Sequence, residues 1–243
     1  SISTERRKND LLSDDEYMDD EEEEDEEEEE GVMTPEEFRK HHSISLKGEG
    51  ASEYDPYMQF ADTPFSSQIK KTFEVAGYTS PTHIQAQSWP IALNKRDLIS
   101  VARTGSGKTC GFLLPAFHRL MTDKVAAKKT KTITEEERQQ MLKSKRYSSV
   151  RRNPKVLVLA PTRELAVQIE AEAQNFTRAA GVFATCIYGG TPKGIQISKL
   201  RRGVDIIVGT PGRVNDLCEM GVLNLADINY FVLDEADRML DMG

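Results

Sequence analysis

The chain has 243 residues, 38% hydrophobic and 30% charged, with a formal net charge of −8 at pH 7. That is enough for one sizeable core plus tails. No apolar run approaches the ~20 residues of a membrane span, and three widely spaced cysteines, Cys110, Cys186 and Cys218, argue against a disulfide framework or a zinc site and for a reducing compartment.

The charge is divided along the chain. Residues 1–33 carry 17 acidic and 3 basic side chains, a net of −14, which leaves 29 basic and 23 acidic, a net of +6, for residues 34–243. A basic body with an acidic arm suits a polyanion-binding domain. Residues 14–30 are acidic at every position except Tyr17 and Met18. Charge this dense cannot be buried, so residues 1–33 are expected to be a disordered tail. It is either a solubilising arm or an electrostatic mimic of nucleic acid that competes for the body.

Thr34-Pro35-Glu36-Glu37 reads as a helix start, with a capping hydroxyl, a proline in the first turn and acids at the positive end of the dipole. That helix closes near His41-His42, which form no metal-ligand spacing. Residues 48–56 read as a linker, so 34–59 is an N-terminal extension and the compact domain begins near Phe60. Helices are predicted at Ser66–Ala76, His83–Leu93, Lys108–Met121, Arg163–Ala179 and Val214–Met220. Strands are predicted at Leu98–Val101, Val156–Leu159, Ala184–Tyr188, Asp205–Val208 and Tyr230–Leu233. Uniformly apolar strands separated by helices imply an α/β fold, a parallel sheet with helices on both faces. Ligands in such sheets sit beyond the carboxyl ends of the strands. Residues 122–155 interrupt the pattern with eleven basic and four acidic side chains. Thr134-Glu135-Glu136-Glu137 is a capping signal inside this segment. It is a mobile surface insertion, or an additional nucleic-acid contact or import signal.

Two motifs fall at strand ends. Gly105-Ser106-Gly107-Lys108-Thr109 follows Leu98–Val101, and Asp234-Glu235-Ala236-Asp237 follows Tyr230–Leu233. A glycine-rich turn lets backbone N–H groups close around phosphates, and a lysine adds a point charge that reaches the β/γ-phosphates. A threonine hydroxyl and a strand-end aspartate hold Mg²⁺, directly or through its waters, and a second carboxylate polarises a water. The pair points to nucleoside triphosphate binding and hydrolysis. Pro161-Thr162-Arg163, Gly189-Gly190 and Thr210-Pro211-Gly212-Arg213 each follow a predicted strand. Helix N-termini and their hydroxyls bind phosphate without reading sequence.

With six ordered motifs between Phe60 and Asp237, the chain resembles the DEAD-box RNA helicases of superfamily 2, in the first RecA-like P-loop NTPase domain. The segment from Thr34 resembles the extension that precedes this core in a nuclear subgroup. The resemblance implies ATP and Mg²⁺ as cofactors. Gly77 to Gln85 matches the family's Q motif, with His83 in place of the usual proline. It implies that Gln85 selects adenine, with Tyr78 and the isolated aromatic Phe60 beside it. Ala102 and Thr104 belong to the phosphate loop, whose opening alanine is common in this family. Asp234 is assigned to the metal with Thr109, Glu235 to orienting the attacking water, and Asp237 to coupling with a later motif. Pro161, Thr162, Arg163, Gly189, Gly190, Thr210, Pro211, Gly212 and Arg213 are assigned to the sugar–phosphate backbone of single-stranded or short duplex RNA.

The chain ends at Gly243, before the family's Ser-Ala-Thr motif and second RecA-like domain. A C-terminally truncated domain is therefore expected, able to bind ATP but nearly inactive without the arginines of a second domain in cis. Such arginines are worth ~10³–10⁵ in rate. The expected function is ATP-dependent local unwinding of RNA, with an ATP-locked RNA clamp or ribonucleoprotein adaptor as the alternative. The expected setting is intracellular, in the nucleus or cytoplasm, without a membrane and with possible ribonucleoprotein partners.

Overall fold

The structure is a computed structural model that describes residues 33–130 and 153–241. The acidic run of residues 14–30 and the capping signal at Thr134 lie outside the described residues, as does most of the basic insertion.

Four parallel strands form the sheet: β1 (Val156–Leu159), β2 (Ala184–Ile187), β3 (Ile206–Gly209) and β4 (Tyr230–Leu233), in the order β2-β3-β1-β4. Val156 aligns with Ile206 on one side and with Tyr230 on the other, which fixes the register of the inner pairs. Among the described residues eight α-helices accompany it: α1 (Pro35–His41), α2 (Ser67–Val75), α3 (His83–Leu93), α4 (Lys108–Thr130), α5 (Arg163–Ala180), α6 (Lys193–Arg201), α7 (Pro211–Glu219) and α8 (Ala236–Asp241).

Alternation along the strands divides the core into two layers. Val156, Val158, Ile206 and Val208 pack with Trp89, Leu113, Phe117, Ile169 and Phe176 from α3, α4 and α5. Leu157 and Ile207 face the other way, against Leu200 of α6 and Val214 and Leu217 of α7. Helices thus cover both faces of the inner strands, as strand composition predicts. On β4 the cover fails, because Phe231 is 54% and Leu233 49% exposed.

Several local expectations need correction. Leu98–Val101 forms no strand: Ile99 is 93% and Val101 91% exposed, and no backbone ladder reaches them among the described residues. Apolar β-branched residues favour a strand only where a neighbour's N–H and C=O groups complete the pairing. Helix α4 runs on to Thr130, so the first part of the supposed insertion continues a helix. Its base is pinned, with Lys124 Nζ donating to the Gly181 carbonyl at 2.8 Å and pairing with Asp205 at 3.3 Å. Helices α6 and α8 have no counterpart in the sequence reading. In α6 only Gln196 and Leu200 are buried and Ile195 is 69% exposed, too weak an apolar stripe to announce a helix.

Helix α1 forms as its cap implies, with the Thr34 hydroxyl accepting from Glu37 N–H and Glu37 reaching back to Thr34 N–H at 2.8 Å. It is bound to the domain: Arg39 Nε donates to Gln87 Oε1 at 2.9 Å, and both side chains donate to the Tyr54 carbonyl. His42 stacks on His83 at 3.5 Å between ring centroids, joining α1 to the start of α3.

Candidate functional site

The loop of residues 102–107 connects the apolar segment 98–101 to α4, and two glycines make its turn possible. Gly105 and Gly107 have φ of 78° and 89°, which side chains with a Cβ rarely adopt. At Gly107 space forbids a Cβ as well, since it would stand 2.5 Å from Gln85 Nε2 and 2.9 Å from Thr82 Oγ1. Gln85 is buried, accepting from Thr82 N–H at 3.1 Å and donating to the Gly107 carbonyl at 3.0 Å. The residue expected to choose the base therefore also ties α3 to the loop. Lys108 Nζ folds back to donate to the Ala102 carbonyl at 2.6 Å. Ser106 Oγ is buried without a hydrogen-bond partner among the described residues, while its own N–H donates to the Arg103 carbonyl at 3.3 Å. Thr104 is exposed at the turn.

Asp234 stands at the carboxyl end of β4, its N–H donating to the Leu159 carbonyl at 3.0 Å. Burial pushes its carboxyl above the usual range, while the Glu235 N–H at 3.1 Å and the charge of Lys108 pull it back. The loop lysine and the strand-end aspartate thus act on one point. Glu235 has φ of 51°, a left-handed backbone uncommon for a residue with a side chain. Its carboxylate pairs with Arg238 at 2.6 Å. Asp237 is exposed.

Glu172 of α5 joins this point and was not singled out from the sequence. Burial raises its carboxyl, hydrogen bonding from Thr109 lowers it, and the charge of Asp234 raises it again. A carboxylate one turn from Ile169 and Phe176, on the buried face of an amphipathic helix, is the signal that marks it. Among the described residues no three His, Cys, Asp or Glu side chains form a metal cage. The oxygen donors at this point are instead a hydroxyl, a strand-end carboxylate and a second acid beside them.

Phe60 stacks on Phe73 at 4.3 Å between centroids, and Tyr78 meets Phe73 edge-on at 6.0 Å. Phe60 and Tyr78 therefore flank one ring, in a cluster that also contains Trp89 of α3.

Three further loops follow β1, β2 and β3 on the same side of the sheet. The Thr162 hydroxyl caps α5 by accepting from Leu165 N–H at 3.2 Å. Pro161 is half-buried and Arg163 exposed, with the Arg163 guanidinium 4.7 Å from the Tyr188 ring centroid. Gly189 and Gly190 are exposed, Gly190 with φ of 77°. Pro211 and Gly212 are exposed at the start of α7, behind Thr210. Arg213 is buried, donating to the Thr191 carbonyl at 3.0 Å and pairing with Asp216 at 3.5 Å. Its guanidinium braces the loop after β2 against α7 and does not project outward.

The family model described as DEAD/DEAH box helicase matches residues 82–243. The chain is 44% identical over 211 residues to ATP-dependent RNA helicase-like protein DB10 of Nicotiana sylvestris, covering 87% of this chain and 31% of that protein. It is equally similar, at 44%, to DEAD-box ATP-dependent RNA helicase 14 of Arabidopsis thaliana, of which it covers 30%. The chain thus spans under a third of the length of these relatives. Among solved structures, a DEAD box protein from the hyperthermophile Methanococcus jannaschii matches with a TM-score of 0.61 at 33% identity, over 77% of this chain and 44% of that one. A hypothetical ATP-dependent RNA helicase from Sulfolobus tokodaii matches with a TM-score of 0.58 at 28% identity, over 74% and 44%. The sheet with its helices is accordingly a RecA-like domain.

Proposed function

The chain belongs to the DEAD/DEAH box helicase family, and from that premise we propose that it is the ATP-binding lobe of an ATP-dependent RNA helicase. What supports this reading is that Lys108 acts on the Asp234 carboxyl at the end of β4, while Thr109 and Asp234 both act on Glu172. ATP enters with its phosphates over the loop N–H groups of 104–109. There Lys108 exchanges the Ala102 carbonyl for phosphate oxygens, and the orphan Ser106 hydroxyl gains a partner. Gln85 and the aromatics Phe60 and Tyr78 receive the adenine.

The hydroxyl of Thr109 and the carboxylate of Asp234 suit a hard cation that keeps several waters and takes few protein ligands. They would hold Mg²⁺, which supplies charge neutralisation between phosphate oxygens when bound. Glu235 orients the attacking water once its carboxylate leaves Arg238. Positioning and charge account for nearly all catalysis of phosphoryl transfer. Asp237, exposed beside them, is left to meet the second RecA-like domain, and single-stranded RNA lies along Pro161–Arg163, Gly189–Gly190 and Thr210–Gly212.

ATP hydrolysis measured with and without single-stranded RNA tests the reading. It is run on this chain and on a longer form carrying a second RecA-like domain. The expected result is slow turnover by the chain and RNA-stimulated turnover by the longer form. Turnover in the longer form that is indifferent to RNA contradicts it.

A further inference from the structure

Arg163 and Tyr188 come from different strand ends, one opening α5 and the other following β2, yet the guanidinium lies 4.7 Å from the ring centroid. Among the described residues no carboxylate pairs with Arg163, whereas Arg39, Arg213 and Arg238 each have one. The difference has chemical content. A carboxylate occupies the N–H fork of a guanidinium, while an aromatic face holds the cation through its π surface and leaves the five N–H donors free at the edge.

Tyr188 is itself held in place. Its carbonyl accepts from Gln196 Nε2 at 3.0 Å, and the same amide donates to Thr191 Oγ1 at 2.9 Å, so one buried side chain spans the Gly189-Gly190 turn. An arginine on an exposed first turn loses side-chain entropy when it grips a ligand, and prior stacking removes part of that loss.

We propose that Tyr188 is a positioning residue for nucleic acid, its ring presenting the Arg163 guanidinium, donors outward, to a backbone phosphate of single-stranded RNA. The proposal rests on the RNA reading above and adds a residue outside every motif that carries it. Phosphate contacts give affinity without sequence preference, so Tyr188 governs how tightly RNA is held and not which RNA.

Fluorescence anisotropy with a labelled oligouridylate tests it on the whole chain and on Y188F, Y188L, R163A and Y188L/R163A. Y188F is expected to match the unaltered chain. Y188L is expected to weaken binding about two- to five-fold, the range of an exposed cation–π contact. In the double variant the loss should equal that of R163A alone, with fluorescent ATP-analogue binding unchanged throughout. Additive losses, or an equal loss of ATP-analogue binding in Y188L, overturn the assignment while leaving RNA binding intact. If the unaltered chain binds no RNA, the RNA reading falls and the proposal with it. Should Y188L fail to fold, the Arg163 δ-proton NMR shifts decide, since ring-shifted signals are expected in the unaltered chain and Y188F, and random-coil values overturn the contact.

Discussion

β1 and β4 have similar sequences, Val-Leu-Val-Leu and Tyr-Phe-Val-Leu, and pair in register, but they occupy different surroundings. β1 lies between two neighbours with Val156 and Val158 fully buried. β4 has one strand neighbour and presents Phe231 and Leu233 to solvent. The segment 98–101 has no ladder among the described residues. The proposed nucleotide residues issue from the two less covered regions, Lys108 after segment 98–101 and Asp234 after β4. The proposed RNA loops issue from the three well-covered strands. Apolar composition states a capacity for strand formation, and a paired backbone realises it.

The largest test of that contrast is a charge placed on each side of it. Ile207→Asp, at a fully buried position of β3, is expected to abolish cooperative folding, because an unpaired buried charge costs several kcal/mol of a total near ~5–15. Phe231→Lys on β4 is expected to shift urea-measured stability by less than about 1 kcal/mol. Equal losses would erase the distinction between the inner strands and the edge.

A second comparison sets two glycines against each other. Gly107→Ala places a Cβ against Gln85 and Thr82 on a backbone with φ of 89°, while nothing lies within 4 Å of a Cβ at Gly189. Strain of ~1–3 kcal/mol at Gly107 is expected to weaken ATP-analogue binding about 5- to 150-fold, with Gly189→Ala near neutral. Comparable affinities for both variants would mean that the loop does not require its left-handed turn.

Electrostatics gives a smaller effect of opposite sign. Burial raises the Asp234 carboxyl, so the folded chain holds the proton more tightly than the unfolded chain does. Stability from this group is full below the ordinary carboxyl range and is lost as pH rises through the raised value. Asp234→Asn is therefore expected to raise the melting temperature at neutral pH. The gain is under about 1 kcal/mol, because solvent screens a half-buried group, and it fades on acidification. A lower melting temperature at neutral pH would show that Asp234 serves the fold and not only the site.

The smallest effect concerns α1. Burial and the neighbouring His83 and His41 lower the His42 pKa, so its contribution is full above the ordinary histidine value and is lost as pH falls through the lowered one. His42→Phe keeps a ring against His83 and is expected to flatten the thermal stability between pH 7.5 and 5.5, by about half a kcal/mol at most for so exposed a pair. An unchanged pH slope would separate α1 docking from these imidazoles.

Much of this was legible in the sequence because local chemistry carried it. The cap at Thr34, the helix His83–Leu93 and the strands Val156–Leu159 and Tyr230–Leu233 form with the expected bounds. The charge of Lys108 is felt at the Asp234 carboxyl, although only Asp234 stands at the end of a strand. What could not be read depended on partners distant along the chain. The lack of a ladder for 98–101, the inward turn of Arg213 and the approach of Glu172 to Thr109 are all decided by packing between elements. Tyr188 escaped notice for the same reason, since its contact with Arg163 joins two strand ends.

The most direct measurement is titration of the chain with a fluorescent ATP analogue and Mg²⁺, beside Lys108→Ala and Glu235→Gln. Saturable binding is expected, reduced at least about ten-fold by Lys108→Ala, the loss of a charged contact worth ~1.5–3 kcal/mol, and retained by Glu235→Gln. Undiminished binding by Lys108→Ala would contradict a phosphate site built on Lys108 and Asp234.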